Sequence, residues 1–346
     1  MPEPLPVTVV IPAYNAAAYL ADAIDSVRLQ TAAAQEIIVV DDGSADDTAA
    51  IAHRFGARVI SGPNGGLAHA RNVGIRASVT PWIAFLDADD MWRGERLERQ
   101  WRALAAAPGP LVVASDYTYF VDERIVVDAV LPTFPQYRAM ARRAVAPGVS
   151  LARGKDLGRA MLGGNFVPPS TLLVDRRVFS EFNEYFLVRE LLPDGGAEFF
   201  VGEDYEWYLR LLRHTDVLFV EAPLLDYRRS PTSLSANGGR LKHGDVVLGE
   251  FVGASPERYV AGIAEDLARV RPARLFDAGM RYLKEGDVVR ARVMFARATG
   301  AGHRRAIVFS TATFPFAAVQ PGRRLFAAMF RLWRTRVRPL FRSATY

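Results

Sequence analysis

Short apolar segments alternate with helical segments over the first 90 residues, and this alternation constrains the fold more than any other feature of the chain. The apolar segments are continuous and rich in β-branched residues, as expected for strands buried on both faces of a sheet. They are Val7–Ile11, Glu36–Val40, Ala57–Ile60 and Trp82–Leu86. Strands and helices that alternate at this spacing predict an α/β fold, with a Rossmann-like, mostly parallel sheet flanked by helices.

Polar residues near the predicted helix starts give specific expectations for the helix boundaries. Asn15 is expected to cap a helix that runs to about Gln30, and Asp46 or Asp47 to start the helix after the second strand. Asp90 is a candidate cap for the helix that follows the fourth strand.

The sequence predicts three regions. Residues 1–236 form the α/β domain, residues 237–303 form a helical region, and residues 304–346 form a basic amphipathic tail. The helical region contains one helix pair whose small residues, such as Gly279, resemble a tetratricopeptide-type hairpin. An ordinary helical hairpin is the alternative.

The charge distribution is asymmetric along the chain. The net charge is +5, yet no acidic residue follows Asp287 and 12 arginines do, so the first 287 residues carry −7. In the tail, apolar and arginine side chains fall on neighbouring faces of a predicted helix, which suits contact with a membrane interface. The alternative is a helix packed on the acidic body of the protein. A footprint for nucleic acid is not expected from arginines confined to one tail.

Several classes of protein and site are not expected from this composition. The 346 residues include no cysteine, which excludes disulfides and thiolate nucleophiles. The N-terminal segment lacks the features of a signal peptide, and no long uncharged apolar run free of proline is present. We therefore expect a cytoplasmic protein, with peripheral contact to the cytoplasmic face of the membrane through the tail.

Polar residues follow three of the predicted strands, at the edge of the sheet where ligands bind in folds of this kind. Tyr14 and Asn15 follow the first strand, Asp42 follows the second, and Asp87 and Asp89 follow the fourth. Carboxylates spaced as Asp-x-Asp can hold a divalent cation such as Mn²⁺ or Mg²⁺, which takes few protein ligands and completes its shell with phosphate oxygens. A solvated turn is the alternative for this acidic stretch.

Three further groups carry candidate chemistry. Arg71 lies one turn into the helix after a glycine-rich loop whose amide groups could face an anion, and its guanidinium could reach a phosphate or base. Glu203 and Asp204 begin a helix, where an acid is expected to stay ionised and to serve as a general base. Arg228 and Arg229 are candidate clamps for a diphosphate.

Five segments occur in a fixed order along the chain: "VVIPAYNAAAYLADAIDSV", "EIIVVDDGSADDT", "NGGLAHARNVGI", "FLDADD" and "GEDYEWYLR". In their order and spacing they resemble glycosyltransferase family 2, whose members have a GT-A fold and transfer a sugar from a nucleotide-diphosphate donor. The resemblance covers roughly residues 5 to 235. The Gln-x-x-Arg-Trp signature of processive synthases is absent, so transfer of one or a few sugars is expected.

The resemblance implies a role for each matching residue. Pro12, Tyr14 and Asp42 would form the nucleoside pocket, and Asp87 and Asp89 would form the metal and donor pair, with Asp89 in direct metal contact. Asp204 would be the base of an inverting reaction, and Glu203 would support it. The donor would be a nucleotide-sugar, with UDP expected, and the acceptor a glycan or a lipid-linked glycan.

Two alternatives stay open from the sequence. A phosphatase of the haloacid-dehalogenase type also has Asp-x-Asp at a strand end, but it requires Thr, Val or Ser where Met91 stands. A non-catalytic relative could bind a nucleotide-sugar without transferring it, although the presence of both Asp89 and Asp204 weighs against this.

Overall fold

The computed structural model describes residues 3–122, 124–183, 185–186, 189–191, 197–199, 202–229, 252, 255–284, 288–303 and 306. The chain divides into two compact units, the first up to Asp266 and the second from Leu267. The predicted boundary at residue 236 and almost all of the predicted tail, 304–346, lie outside the described residues. The division into three regions therefore stays a prediction.

The first unit contains one large sheet and one small hairpin. The strands are β1 Leu5–Ala13, β2 Ala34–Asp41, β3 Arg58–Ser61, β4 Trp82–Phe85, β5 Met91–Trp92, β6 Val112–Val121, β7 Arg124–Val127, β8 Arg142–Ala146, β9 Val149–Ala152, β10 Leu173–Asp175, β11 Arg189–Leu191, β12 Ala197–Phe199 and β13 Val217–Arg228. The small hairpin is β11 paired with β12.

The main sheet has a parallel block and a mixed block. Its strand order is β3-β2-β1-β4-β10-β6-β13-β9-β8, with β5 paired to β13 and β7 paired to β6. The strands β3, β2, β1 and β4 are parallel, which confirms the prediction for the first 90 residues. Beyond them, β10 is antiparallel to both neighbours, and β13 is parallel to β6 but antiparallel to β5 and β9.

Helices connect and flank these strands in the first unit. They are α1 Leu20–Arg28, α2 Thr48–Arg54, α3 Leu67–Ala77, α4 Arg96–Ala106, α5 Pro135–Ala139, α6 Gly154–Met161, α7 Arg177–Ser180 and α8 Glu203–Leu211. The second unit contains most of α9 Ile263–Lys284 and all of α10 Val288–Gly300. In the second unit, a Cβ on Gly279 would lie 2.6 Å from the Phe295 ring, so α9 and α10 touch at this glycine. Whether the pair is a tetratricopeptide repeat stays a prediction.

The packing of α3 on the parallel block depends on one glycine. A Cβ on Gly74 would lie 2.3 Å from a methyl carbon of Val10 in β1, so no larger residue fits without moving the helix. The same helix contributes Ala70 to a cluster with Ile38 and Val40 of β2. This close contact holds the start of α3, and with it Arg71, against the edge of the sheet.

Two of the predicted helix caps are wrong. Asn15 lies in a turn with φ +49°, and α1 begins only at Leu20. Asp90 precedes the strand β5, not a helix, because β5 pairs with β13 and α4 begins at Arg96.

The predicted start of the helix after the second strand is confirmed. Helix α2 begins at Thr48, directly after Asp47. The carboxylate of Asp46 accepts the backbone N–H of Thr48 at 3.1 Å, so Asp46 is the acid that holds this helix start.

Candidate active site

The carboxyl ends of β1, β2 and β4 lie at one edge of the sheet. Ala13 at the end of β1 pairs with Asp41 at the end of β2, and Val10 pairs with Phe85 at the end of β4. The polar residues that follow these strands are therefore delivered to one edge, as the topology rule predicts.

Asp42 organises the loop that precedes α3. Its two carboxylate oxygens accept the backbone N–H groups of Gly65 at 2.9 Å and Gly66 at 2.8 Å, and His69 Nδ1 lies 3.6 Å away. The loop amides do face an anion, as the sequence suggested, but the anion is this carboxylate. The turn after Asp42 requires glycine, because Gly43 has φ +80° and a Cβ would lie 2.8 Å from the Asn64 nitrogen.

The loop after β1 is tied to the loop after β2 through Asn15. Its side-chain oxygen accepts the N–H of Ala45 at 2.8 Å, and its own N–H donates to Ser44 at 2.9 Å. Tyr14 beside it is 54% exposed, so its ring is available to a ligand. Pro12 is buried within β1, where it can contribute only a wall of the site.

The three acids after β4 have different surroundings. Asp90 is 1% exposed, and one of its oxygens accepts the N–H of Arg228 at 3.0 Å while the other has no partner among the described residues. Burial raises the pKa of Asp90 well above its usual range, and the charges of Asp89 and Asp87 add to the rise. Burial also raises the pKa of Asp89 to about 6, again with a contribution from Asp87.

Arg71 joins the strand-end acids to the acids of α8. Its side chain is fully buried, and its two terminal nitrogens donate to Asp87 at 2.7 Å and to Glu203 at 2.9 Å. Burial alone would lower the pKa of Arg71, but the two carboxylates outweigh it and raise the pKa. Both terminal nitrogens of its guanidinium thus donate to protein carboxylates. A direct contact between Arg71 and a phosphate or base of a donor stays a prediction.

Asp204 lies next to Glu203 in the first turn of α8, which begins after Gly202 at φ +106°. One carboxylate oxygen accepts the N–H of Tyr205 at 2.7 Å, and the residue keeps part of its surface exposed. Burial raises the pKa of Asp204 to about 7, the Glu203 charge adds to the rise, and Arg71 opposes it. The helix start therefore does not keep this acid as strongly ionised as the sequence suggested, because desolvation is the larger effect.

Arg228 is positioned beside the strand-end acids by the pairing of β13 with β5. Its Nε donates to the backbone oxygen of Asp89 at 2.9 Å, and its guanidinium lies 4.8 Å from the ring of Tyr19 and 4.5 Å from that of Phe120. This arrangement fixes the plane of the guanidinium and leaves its two terminal nitrogens without partners among the described residues. Arg229 instead packs over Tyr119, at 4.9 Å.

Two residues of the site were not predicted from the sequence. Asn165 donates its side-chain N–H to the second oxygen of Asp204 at 2.8 Å, and the Ser170 hydroxyl accepts the backbone N–H of Asp87 at 3.0 Å. Asn165 lies in a loop, and Ser170 lies in the short 3-10 helix Pro169–Thr171 before β10. Periodicity carries no signal for them, since a loop and a single helical turn are too short to show a repeating pattern.

The acids after β4, Asp87, Asp89 and Asp90, could supply some of the ligands of a divalent cation but not a complete set. No group of three or more acids or histidines in the described part of the chain is arranged to hold a metal. A site that also uses donor phosphates needs fewer protein ligands. The mutual charge that raises the pKa of Asp89 and the orphaned buried oxygen of Asp90 are both features that a bound cation would relieve.

The structure therefore places the predicted residues in two sets. Arg71 brings together the strand-end acids and the acids of α8, and Arg228 joins the strand-end set through Asp89 and Asp90. The second set consists of residues in the neighbouring loops after β1 and β2, namely Tyr14, Asn15 and Asp42. The role of this second set in donor binding stays a prediction.

Comparison with known proteins finds a family match over the part of the chain that contains Asp42, Arg71 and the acids after β4. Residues 8–147 match the profile of Glycosyl transferase family 2. The chain is 27% identical over 253 residues to the UDP-Glc:alpha-D-GlcNAc-diphosphoundecaprenol beta-1,3-glucosyltransferase WfgD of Escherichia coli, and the match covers 71% of this chain and 86% of that protein. It is 40% identical over 89 residues to the uncharacterized glycosyltransferase EpsJ of Bacillus subtilis, covering 24% and 26% of the two chains.

Several of the curated relatives match over only a small part of their length. The alignments span 30%, 16% and 26% of three of them, so the chain covers less than a third of each. Among solved structures, S. aureus TarS in complex with UDP-GlcNAc superimposes with a TM-score of 0.54 at 14% identity, covering 88% of this chain and 90% of that chain. At this identity the likeness shows the fold alone.

Proposed function

We propose that the chain transfers a sugar from a nucleotide-diphosphate donor to an acceptor hydroxyl, because residues 8–147 match the profile of Glycosyl transferase family 2 and the fold is similar to that of S. aureus TarS. One observation carries the proposal. Arg71 joins Asp87, at the edge of the sheet where the donor would bind, to Glu203, the neighbour of Asp204, whose pKa is about 7. A donor site and a group able to accept a proton at neutral pH are thereby held together.

The donor would be a UDP-sugar. TarS was solved with UDP-GlcNAc, and WfgD is named for a UDP-glucose donor. The exposed ring of Tyr14 is available to stack on the base, Pro12 would line the pocket, and the remaining lone pairs of Asp42 could accept from the base or ribose. Asn15 would act by holding the first two loops together.

Asp204 would be the general base of an inverting transfer. Its ionised carboxylate takes the proton of the acceptor hydroxyl as the acceptor oxygen bonds to the anomeric carbon. The bond from that carbon to the diphosphate oxygen breaks, and its electron pair leaves with the diphosphate. A base with a pKa near 7 is matched to this work at neutral pH, and Glu203 supports it by contributing to that pKa.

The departing diphosphate carries negative charge that the protein must stabilise. The two terminal nitrogens of Arg228, which have no partner among the described residues, suit a bidentate contact with phosphate oxygens, and the stacked rings hold them in one plane. A divalent cation, Mn²⁺ or Mg²⁺, would be held by Asp89 with Asp87, and would supply further charge stabilisation when bound.

The acceptor would be a glycan or a lipid-linked glycan, as WfgD is named for a diphosphoundecaprenol-linked substrate. No helix in the described part of the chain is long and apolar enough to cross a membrane. We propose peripheral contact with the cytoplasmic face of the membrane through the basic tail. Co-sedimentation with anionic liposomes tests this, because a chain truncated before Gly322 should lose binding, and unchanged binding would refute the role.

A panel of nucleotide-sugars tests the central proposal. Each donor is assayed for binding, hydrolysis and transfer, with and without Mn²⁺, alongside a simple phosphomonoester. Turnover of a UDP-sugar that depends on Asp204 supports the proposal. Phosphate release from the monoester would support a phosphatase instead, and binding without turnover in the presence of acceptor candidates would support a non-catalytic relative.

A further inference from the structure

The segment Asn165–Ser170 contacts both halves of the site. At its start, the side-chain amide of Asn165 donates to Asp204 at 2.8 Å. At its end, the Ser170 hydroxyl accepts the backbone N–H of Asp87 at 3.0 Å, and the Ser170 carbonyl accepts the indole N–H of Trp92 at 3.2 Å. A short continuous segment therefore connects the predicted base to the strand that delivers the donor-side carboxylates.

The interior of this segment is held in place. Phe166 and Val167 are 1% and 2% exposed, and the Tyr117 hydroxyl donates to the Phe166 carbonyl at 3.2 Å. Pro168 and Pro169 follow, and their rings fix two consecutive φ angles. A segment with buried side chains and two prolines has few alternative conformations, so the distance between its ends is well defined.

Building on the proposed function, we propose that Asn165–Ser170 is a brace that sets the position of the base relative to the donor, with Asn165 as the positioning residue for Asp204. Sugar transfer requires the acceptor oxygen, the anomeric carbon and the departing oxygen to lie in line, and small misplacements of a catalytic group are costly. The Asn165 amide and the Tyr205 backbone N–H each donate to one oxygen of Asp204, which fixes the carboxylate plane.

The chemistry of Asn165 allows this role to be separated from a purely structural one. Its side-chain oxygen accepts the N–H of Val167 at 3.1 Å, which shapes the segment, while its nitrogen contacts Asp204. Asn165→Asp keeps the size and the acceptor but removes the donor. Because the added carboxyl also acts on Asp204 through its charge, the loss of the donor alone is measured with Asn165→Ala, and Asn165→Asp tests how close the two groups are.

The surroundings of Asp204 predict the direction of the effect. The charged groups that act on it are Glu203 beside it on α8, Arg71 on α3 and Asp87 after β4, and the buried hydroxyl of Tyr208 lies within electrostatic range. An amide N–H favours the ionised carboxylate. Asn165→Ala should therefore raise the pKa of Asp204, and Asn165→Asp should raise it further because it adds a second carboxyl.

Kinetics on the full chain test the brace. For Asn165→Ala we expect kcat to fall about 10²-fold with donor affinity unchanged. For Asn165→Asp we expect a larger fall in kcat, and the acidic limb of the pH–rate profile should move to higher pH. The matched control is Gln30→Ala, since Gln30 is also a buried amide with hydrogen bonds to backbone groups, none of them at the site. It should lower stability and leave the pH profile in place.

A second readout separates this inference from the proposed function. The ¹³C carboxyl resonance of Asp204, identified by its loss in Asp204→Asn, is titrated in the wild type and in both Asn165 variants. A midpoint that rises in the order wild type, alanine, aspartate supports the positioning role even if no donor is turned over, whereas turnover failure alone counts against the proposed function. Equal midpoints in folded wild type and Asn165→Ala, with kcat unchanged by Asn165→Ala, would overturn the inference.

Discussion

Two groups of adjacent acids meet at this site, one at a strand end and one at a helix start. The strand-end group, Asp87 to Asp90, gathers three carboxylates in four residues, and the helix-start group is Glu203 with Asp204. Arg71 takes one carboxylate from each group, Asp87 and Glu203, and leaves their neighbours without its guanidinium. The buried Arg71 therefore pairs with one acid of each group. The acids that it does not pair with are Asp89, Asp90 and Asp204.

The two groups differ in the surroundings of the acids that Arg71 does not pair with. Asp89 and Asp90 face like charge and Arg228, which suits a site completed by a cation and a diphosphate. Asp204 faces an amide and a partly exposed surface, with a pKa of about 7. Proteins give neighbouring carboxyls different acid–base roles by placing them in environments that move their pKa values apart. Charge pairing, more than sequence position, thus separates the proposed donor site from the proposed base.

The largest expected effect comes from removing the unpaired acid of the helix-start group. Asp204→Asn should reduce transfer by about 10²–10⁴-fold, the usual contribution of a general base, and should leave donor affinity within about twofold. Transfer assays and calorimetric titration with the donor measure the two quantities. Retained transfer in this variant would remove Asp204 from the role of base.

Removing the shared arginine should disturb both groups at once. Arg71→Met leaves two carboxylates beside one another without their buried partner, which should lower the free energy of unfolding by about 3–5 kcal/mol. Chemical denaturation at pH 7 measures this loss of stability. Arg71→Lys, which keeps the charge but not the fork, is the control and should lie between the wild type and Arg71→Met.

A change at Arg228 should affect only the donor side. Arg228→Lys keeps a positive charge but loses the planar bidentate contact, so we expect KM for the donor to rise about tenfold, with the acidic limb of the pH profile unmoved. Arg229→Lys is the matched control, because Arg229 packs over Tyr119 and not against the acids. Equal effects of the two variants would contradict the assignment of Arg228 to the diphosphate.

The smallest expected effect comes from neutralising the paired acid of the helix-start group. Glu203→Gln removes a charge that raises the pKa of Asp204 and frees more of the Arg71 charge to lower it. Both changes act in the same direction, so the acidic limb of the transfer reaction should move to lower pH by less than about one unit. A limb that moves to higher pH would show that Glu203 supports the base in another way.

The sequence predicted the fold through its strongest local signals. Strands β1, β2 and β4 are apolar runs that are easily told from helices, and the topology rule alone assigned Asp42 and Asp87 to one edge of the sheet. The errors occurred where long-range pairing decides local structure. Asp90 was a candidate helix cap because nothing near it in sequence reveals that β5 pairs with β13, a strand from the far end of the domain.

The electrostatics of the site could be predicted only in part. Motifs identified Arg71, Glu203 and Asp204, but the sequence suggested a phosphate or base for Arg71 and a firmly ionised Asp204. The charge states of Arg71 and Asp204 depend on which carboxylates share the Arg71 guanidinium and on how far Asp204 is buried. Tertiary packing sets both. Asn165 and Ser170 were missed for the same reason, since their contacts with Asp204 and Asp87 join residues that are far apart in sequence.

The pH dependence of sugar transfer by the wild-type chain tests the central claim most directly, namely that Asp204 is the base left unpaired by Arg71. Burial holds the pKa of Asp204 at about 7, so the reactive ionised form should be lost as pH falls. We predict that kcat/KM for a UDP-sugar falls about tenfold per pH unit below a pH of about 7 and levels off above it. A rate that stays constant down to a pH of about 5 would contradict the account.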